Sequence, residues 1–133
     1  MKETTVRDDV AVVTAFFEAV AADRQRDCAA MIHEDMRLEE PAGLPYGGVY
    51  EGKQGVAELY RRVSRLFEVE IHGFEAHAAG ERVAAVVDVT FTCRATGRSI
   101  RTSVVELWKV KDQLLVRADI YPKDTRAIYE LTL

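Results

Sequence analysis

RVAAVVDVTFTCR (residues 82–94) and SIRTSVVELWKVK (residues 99–111) decide the fold. In both runs apolar side chains recur at every second position, the period of a strand that buries one face. The short link between them carries Thr96-Gly97, a hairpin turn signal. Reading outward, residues 68–78 and 114–121 show the same alternation, joined to the central pair through Ala79-Gly80 and Asp112-Gln113. Four long strands with such short links make an antiparallel meander.

The chain before residue 68 has a helical period. Val6, Val10, Val13, Phe17 and Val20 form one stripe, and Thr5 with Asp8 fits a capping pair at its start. A short helix is expected to open at Asp27 and to turn Ala30, Met31 and Ile32 inward. Residues 36–40 read as a strand stopped by Pro41, which has no N–H for a ladder. Residues 52–67 are the best helix, with Val56, Leu59, Tyr60, Val63, Leu66 and Phe67 on one side and Arg61, Arg62 and Arg65 facing solvent. Residues 42–50, rich in glycine and proline and carrying Tyr46 and Tyr50, read as a mobile lid. Pro122 ends the last strand, and Asp124 or Thr125 is placed to cap a short terminal helix. The whole is an α+β domain spanning 1–133, with a curved antiparallel sheet wrapped over N-terminal helices.

A chain of 133 residues can bury a core as a single domain. A net charge of −4 and a pI near 5.4 argue against nucleic acid or an anionic membrane as partner. Cys28 and Cys93 have neither disulfide-framework nor metal-ligand spacing, so no metal and no cofactor is expected. With no signal-peptide pattern and no apolar run of the roughly 18 residues that a span needs, the expected location is the cytoplasm.

Tight two-residue turns would set the register. If Thr96-Gly97 is one, Arg98 pairs with Ala95, Val104 with Val89 and Glu106 with Val87; if Asp112-Gln113 is another, Trp108 pairs with Arg117 and Glu106 with Asp119. One face then carries Val87, Val89, Phe91, Cys93, Ile100, Val104, Glu106, Trp108, Arg117, Asp119 and Tyr121, with His72 and Phe74 added from the preceding strand. Two acids, a His and an Arg on an apolar wall are a candidate site, because a buried carboxylate must be paired or neutral. The opposite face, with Val86, Val105 and Leu107 among polar residues, is suited to a second copy of the chain, and a homodimer is expected.

Several local motifs carry a family resemblance. Val12-Val13-Thr14-Ala15-Phe16, Glu39-Glu40-Pro41-Ala42-Gly43, residues 52–60, Val105-Glu106-Leu107-Trp108 and Arg117-Ala118-Asp119-Ile120-Tyr121 occur in order along nearly the whole chain. In them the sequence resembles the SnoaL-like, ketosteroid-isomerase-like group of the nuclear transport factor two-like superfamily. The resemblance implies a cone-shaped, cystatin-like fold enclosing a pocket. It places Glu40 where the isomerases keep a general base and Glu106 where they keep a protonated acid that donates to an oxyanion. Tyr60 matches a supporting tyrosine, and Asp119 the acid/base aspartate of SnoaL-like cyclases. Phe16 stands where the isomerases carry their oxyanion tyrosine, and glutamate replaces aspartate at both matched positions, which argues against steroid isomerisation.

Two functions of different class follow. One is a cofactor-independent acid/base enzyme on a small apolar carbonyl or polyketide-like substrate, doing isomerase, cyclase or dehydratase chemistry. Asp119, Glu40, Glu106 and His72 are its candidate catalytic groups, and Phe16, Tyr46, Tyr50, Tyr60, Phe74, Trp108, Arg117 and Tyr121 its candidate contacts to a small apolar or aromatic ligand. The other is a non-catalytic ligand-binding or dimerisation module of the same fold.

Overall fold

The computed structural model describes residues 5–133, with side chains from Asp9 onward; Val6 of the first stripe and the Thr5–Asp8 cap lie outside those side chains. Its elements run α1 (Thr5–Ala21), α2 (Gln25–Ala30), β1 (Ile32–Glu40), β2 (Gly48–Glu51), α3 (Gly52–Leu66), β3 (Phe67–Ala79), β4 (Arg82–Cys93), β5 (Ser99–Lys111), β6 (Leu114–Pro122) and α4 (Thr125–Glu130). The six strands form one open sheet in the order β2-β1-β6-β5-β4-β3. The expected meander is present as β3–β6, and β1 joins it by pairing parallel to β6.

The helices lie over the concave face because α1 concentrates its large apolar groups there. Val13, Phe16 and Phe17 are buried, and Phe16 packs on Trp108 of β5 with ring centroids 5.0 Å apart. Phe17 meets Trp108 edge-on at 6.1 Å and Phe74 of β3 at 5.4 Å. Aromatic pairs at such distances add stabilisation beyond the area they bury. In α2 it is Cys28 that turns inward rather than Ala30, and Ile32 is already strand. Asp124 caps α4 as expected, its Oδ1 accepting from Ala127 N at 2.9 Å.

The lid expectation for residues 42–50 is overturned. Gly48–Glu51 is strand β2, paired antiparallel to β1, and Leu44, Tyr46 and Tyr50 are buried. The Tyr50 hydroxyl donates to Tyr46 O at 2.7 Å and accepts from Arg62 at 2.8 Å, so Arg62 is tied to the rim rather than free in solvent. Gly47 runs so close to the preceding turn that a Cβ there would sit 2.2 Å from Pro41 O. Glycine at position 47 serves a close backbone approach.

The register departs from tight turns in two ways with different consequences. The β4–β5 link is a four-residue turn, with Cys93 N donating to Arg98 O, so Val87 pairs with Val104 and Ala85 with Glu106. That is a shift of two, which leaves every side chain on its expected face. Between β5 and β6, Lys109 pairs with Arg117 but Val110 with Leu115, leaving Val116 as a bulge residue. This one-residue slip turns over the rest of β6: Trp108 pairs with Ala118 and Glu106 with Ile120, while Asp119 pairs with Leu107. A second bulge lies between Ile71 and Gly73 of β3 and leaves His72 as the extra residue.

Candidate active site

The concave face encloses a cavity of about 140 Å³ between α1, α3 and the sheet. Its walls are mostly aliphatic and aromatic, from Phe16, Phe17 and Val20 of α1, Leu59, Tyr60 and Val63 of α3, Val69 and Ile71 of β3, and Val87, Val89 and Phe91 of β4. Tyr46 of the rim, with Val104, Ile120 and Pro122, completes the apolar lining, and its charged groups are two carboxyls, Glu40 and Glu106. Among the described residues, no Lys, Arg or His lines it.

Each acid is delivered by its strand. In β1 the residues facing inward are Met36, Leu38 and then Glu40, while Glu39 points outward. Glu106 stands between Val104 and Trp108 on the inward face of β5. Ile120 is the cross-strand partner of Glu106, and the β1–β6 register that pairs Glu39 with Asp119 carries Glu40 to the other side of Ile120.

Their environments differ in one decisive respect. Glu106 Oε1 accepts from Trp108 Nε1 at 3.1 Å, whereas Glu40 Oε1 is shut off from solvent with no hydrogen-bond partner. Burial pushes the Glu40 carboxyl up to about 9, with the charge of Glu106 adding to it. Burial also raises Glu106, to about 7, while the Trp108 donor pulls the other way. An unpaired carboxylate in an apolar wall is costly, so the pair retains protons where an exposed acid would lose them. Burial and the two acids likewise push the Tyr46 and Tyr60 hydroxyls up, which keeps both as neutral donors. Tyr60 is 42% exposed and stands at the mouth.

Of the residues expected at the site, Glu40, Glu106, Phe16, Tyr46 and Tyr60 line the cavity. Trp108 is buried behind Glu106, Phe74 packs behind Phe17, and Tyr50 is committed to the rim. Asp119, Arg117 and Tyr121, expected on the same face, lie on the convex one because of the β6 bulge. There Asp119 accepts from Arg82 at 2.7 Å and from Arg117 at 3.1 Å. Partial burial pushes its carboxyl up, but the two guanidiniums outweigh this and hold it below the usual carboxylate range. His72 is turned out by its own bulge, bonded to Thr90 Oγ1 at 2.7 Å. A facing Glu106–Asp119 pair therefore does not exist; Glu106 shares its pocket with Glu40.

Phe17 and Val20 were missed as lining residues although they continue the Phe16 face of α1. Ile120 and Pro122 were missed because the bulge inverts their strand. Among the described residues, no group of three His, Cys, Asp or Glu could hold a metal ion, and no helix is long and apolar enough to cross a membrane.

The SnoaL-like domain model matches residues 13–118. The chain belongs to the SnoaL-like family. An NTF2-like protein from Burkholderia xenovorans LB400 is similar over 96% of this chain and 97% of its own, at 26% identity and a TM-score of 0.83. TerC, co-crystallised with polyporic acid, superposes with a TM-score of 0.83 at 20% identity, covering 94% of this chain and 98% of its own. A Xanthomonas campestris protein provisionally described as a polyketide cyclase gives 0.80 at 18% identity, covering 96% and 98%. No curated protein matches the chain. These neighbours share the fold class expected from the alternating strands and the leading helices.

Proposed function

We propose that this SnoaL-like protein is a cofactor-independent acid/base enzyme that abstracts a proton next to the carbonyl of a small apolar substrate. The observation that carries this reading is the Glu40–Glu106 pair, set among apolar side chains with no cation among the described residues of the lining to balance it. In ionised form Glu106 takes the α-proton; the C–H electron pair forms the new C=C bond, and the carbonyl oxygen, gaining charge, accepts a hydrogen bond from protonated Glu40. Returning the proton to a different carbon isomerises the substrate. A base that titrates near 7 works close to its optimum, and a donor aimed at the developing oxyanion lowers the barrier further. Tyr46 and Tyr60 supply further donors. The crystallised complex of TerC with polyporic acid supports a small-molecule occupant for this fold.

Asp119 and His72 have no part in this step, being on the convex face. That face carries Val86, 40% exposed, and Tyr121, 54% exposed, together with Val105 and Leu107, and its place in the proposal is a homodimer contact. Light scattering at micromolar concentration should give twice 14.9 kDa; a monomer there removes the contact.

One observation favours a binding module instead: Phe16 stands where the isomerases place an oxyanion donor. Hydrogen–deuterium exchange at the α-carbon of small ketones in D₂O, followed by proton NMR, separates the two. Exchange that is catalysed by the protein and lost in Glu106→Gln supports the enzyme; ligand binding without exchange supports the module.

A further inference from the structure

We infer that the cavity selects an uncharged ligand about one ring in size, with one acceptor oxygen and no anionic group: a cyclic ketone or enone rather than a fused polycycle or a carboxylic acid. This rests on the acid/base reading only for the choice of a carbonyl; size and charge are argued independently of it.

The size follows from the walls. The cavity measures about 140 Å³, and an apolar cavity of about 150 Å³ admits benzene. Phe16 and Phe17 are held against Trp108 and Phe74 by the ring contacts already described, so the floor cannot recede without dismantling the core. Tyr46 is equally fixed, its ring edge-on to Phe67 at 6.1 Å. A second or third ring has to pass out of the mouth beside Tyr60.

The charge follows from the polar groups. A carboxylate ligand would enter a space whose described lining holds two acids and no basic side chain, and would lose its hydration without gaining a partner there. A neutral acceptor meets the opposite situation. Glu40 Oε1 is buried with no partner among the described residues, so a ligand that brings an acceptor offers the protonated carboxyl a hydrogen bond that these residues do not supply.

Titration of the ¹⁵N-labelled protein at pH 6, read at the Trp108 indole N–H that bonds Glu106, tests both arguments. The probes are 2-cyclohexen-1-one, cyclohexanecarboxylate, cyclohexylamine and the three-ring ketone anthrone. Cyclohexenone is expected to saturate the shift, with the other three at least tenfold weaker. Glu40→Gln, which keeps an N–H donor, should retain the binding, and Glu40→Leu should weaken it at least tenfold while the spectrum stays folded. Equal or tighter binding of the carboxylate or the amine overturns the charge argument, and equal or tighter binding of anthrone overturns the size argument. Saturable cyclohexenone binding without α-proton exchange supports the ligand class and removes the catalytic reading.

Discussion

On the concave face Glu40 and Glu106 occupy one apolar cavity with no cation among its described lining residues, and their carboxyls are held toward the neutral form. On the convex face of the same sheet Asp119 sits between Arg82 and Arg117 and is held toward the anion. The backbone is alike and the strands are neighbours, so the difference lies in what the opposing layer supplies. Helices α1 and α3 bring phenylalanine, valine and leucine against the first pair, whereas Arg82 of β4 and Arg117 of the same strand reach Asp119. Chemistry that needs a proton donor and an acceptor together has its groups on the first face; the second is built like a structural ion pair.

The comparison breaks most severely if the concave face can lose Glu106, the base of the proposed reaction, without consequence. Glu106→Gln is isosteric and should fold, yet α-proton exchange should fall by roughly 10²–10⁴, the usual contribution of a positioned base. A variant retaining a tenth or more of the wild-type rate would place the chemistry elsewhere.

Stability against pH sharpens the contrast, because the two faces predict opposite signs. Carboxyls raised in the folded state bind more protons there than in the unfolded chain, so stability falls as pH rises from about 5 toward 7 for Glu106 and toward 9 for Glu40. Each contributes at most about 1.4 kcal/mol per pH unit. Asp119 behaves in reverse: its contribution is present above the unfolded carboxylate range and lost as pH falls through it. Glu40→Gln should therefore be more stable than wild type at pH 8 by up to about 4 kcal/mol and equal to it near pH 4. Urea unfolding at the two pH values measures this; an unchanged difference between them would mean that Glu40 titrates like a solvated acid.

The convex face should answer to substitution in stability alone. Asp119→Asn removes the charge that two guanidiniums share and should cost about 1–2 kcal/mol, within the range for hydrogen bonds to charged groups. The exchange rate should stay within about threefold of wild type. A collapse of activity with a preserved melting temperature would give Asp119 a catalytic role despite its face.

How far the sequence could be read follows from what each signal encodes. Alternation is local, so the four long strands were legible to within a residue or two, and the stripe through Val13 and Phe17 marked the helix that covers them. Strand β2 was not legible, since four residues among glycines and tyrosines give no periodic signal and its pairing with β1 is a tertiary fact. Faces were legible only as far as the first bulge. The error of two at the Thr96-Gly97 turn was harmless, but Val116 and His72 each insert one residue, and an odd insertion inverts everything beyond it. Nothing around Val116 distinguishes it from a regular strand residue, which is why Asp119 was read on the wrong side. Glu106 survived because no bulge separates it from the β4 partner that fixes its face, and Glu40 because Met36, Leu38 and Glu40 alternate without a break.

The smallest effect belongs to His72, which tests whether a single inserted residue is enough to exclude a side chain from the site. Its imidazole bonds Thr90 Oγ1 at 2.7 Å and lies 3.9 Å from Glu70, both contacts on the outer surface of β3 and β4. Ile71, its neighbour, lines the cavity. His72→Ala loses one exposed hydrogen bond and a long contact to Glu70, so it should change stability by no more than about 1 kcal/mol. It should leave both α-proton exchange and cyclohexenone affinity within about twofold of wild type, at pH 6 as at pH 8. A tenfold fall in exchange confined to one of the two pH values would show that the β3 bulge opens transiently and that His72 reaches the cavity after all.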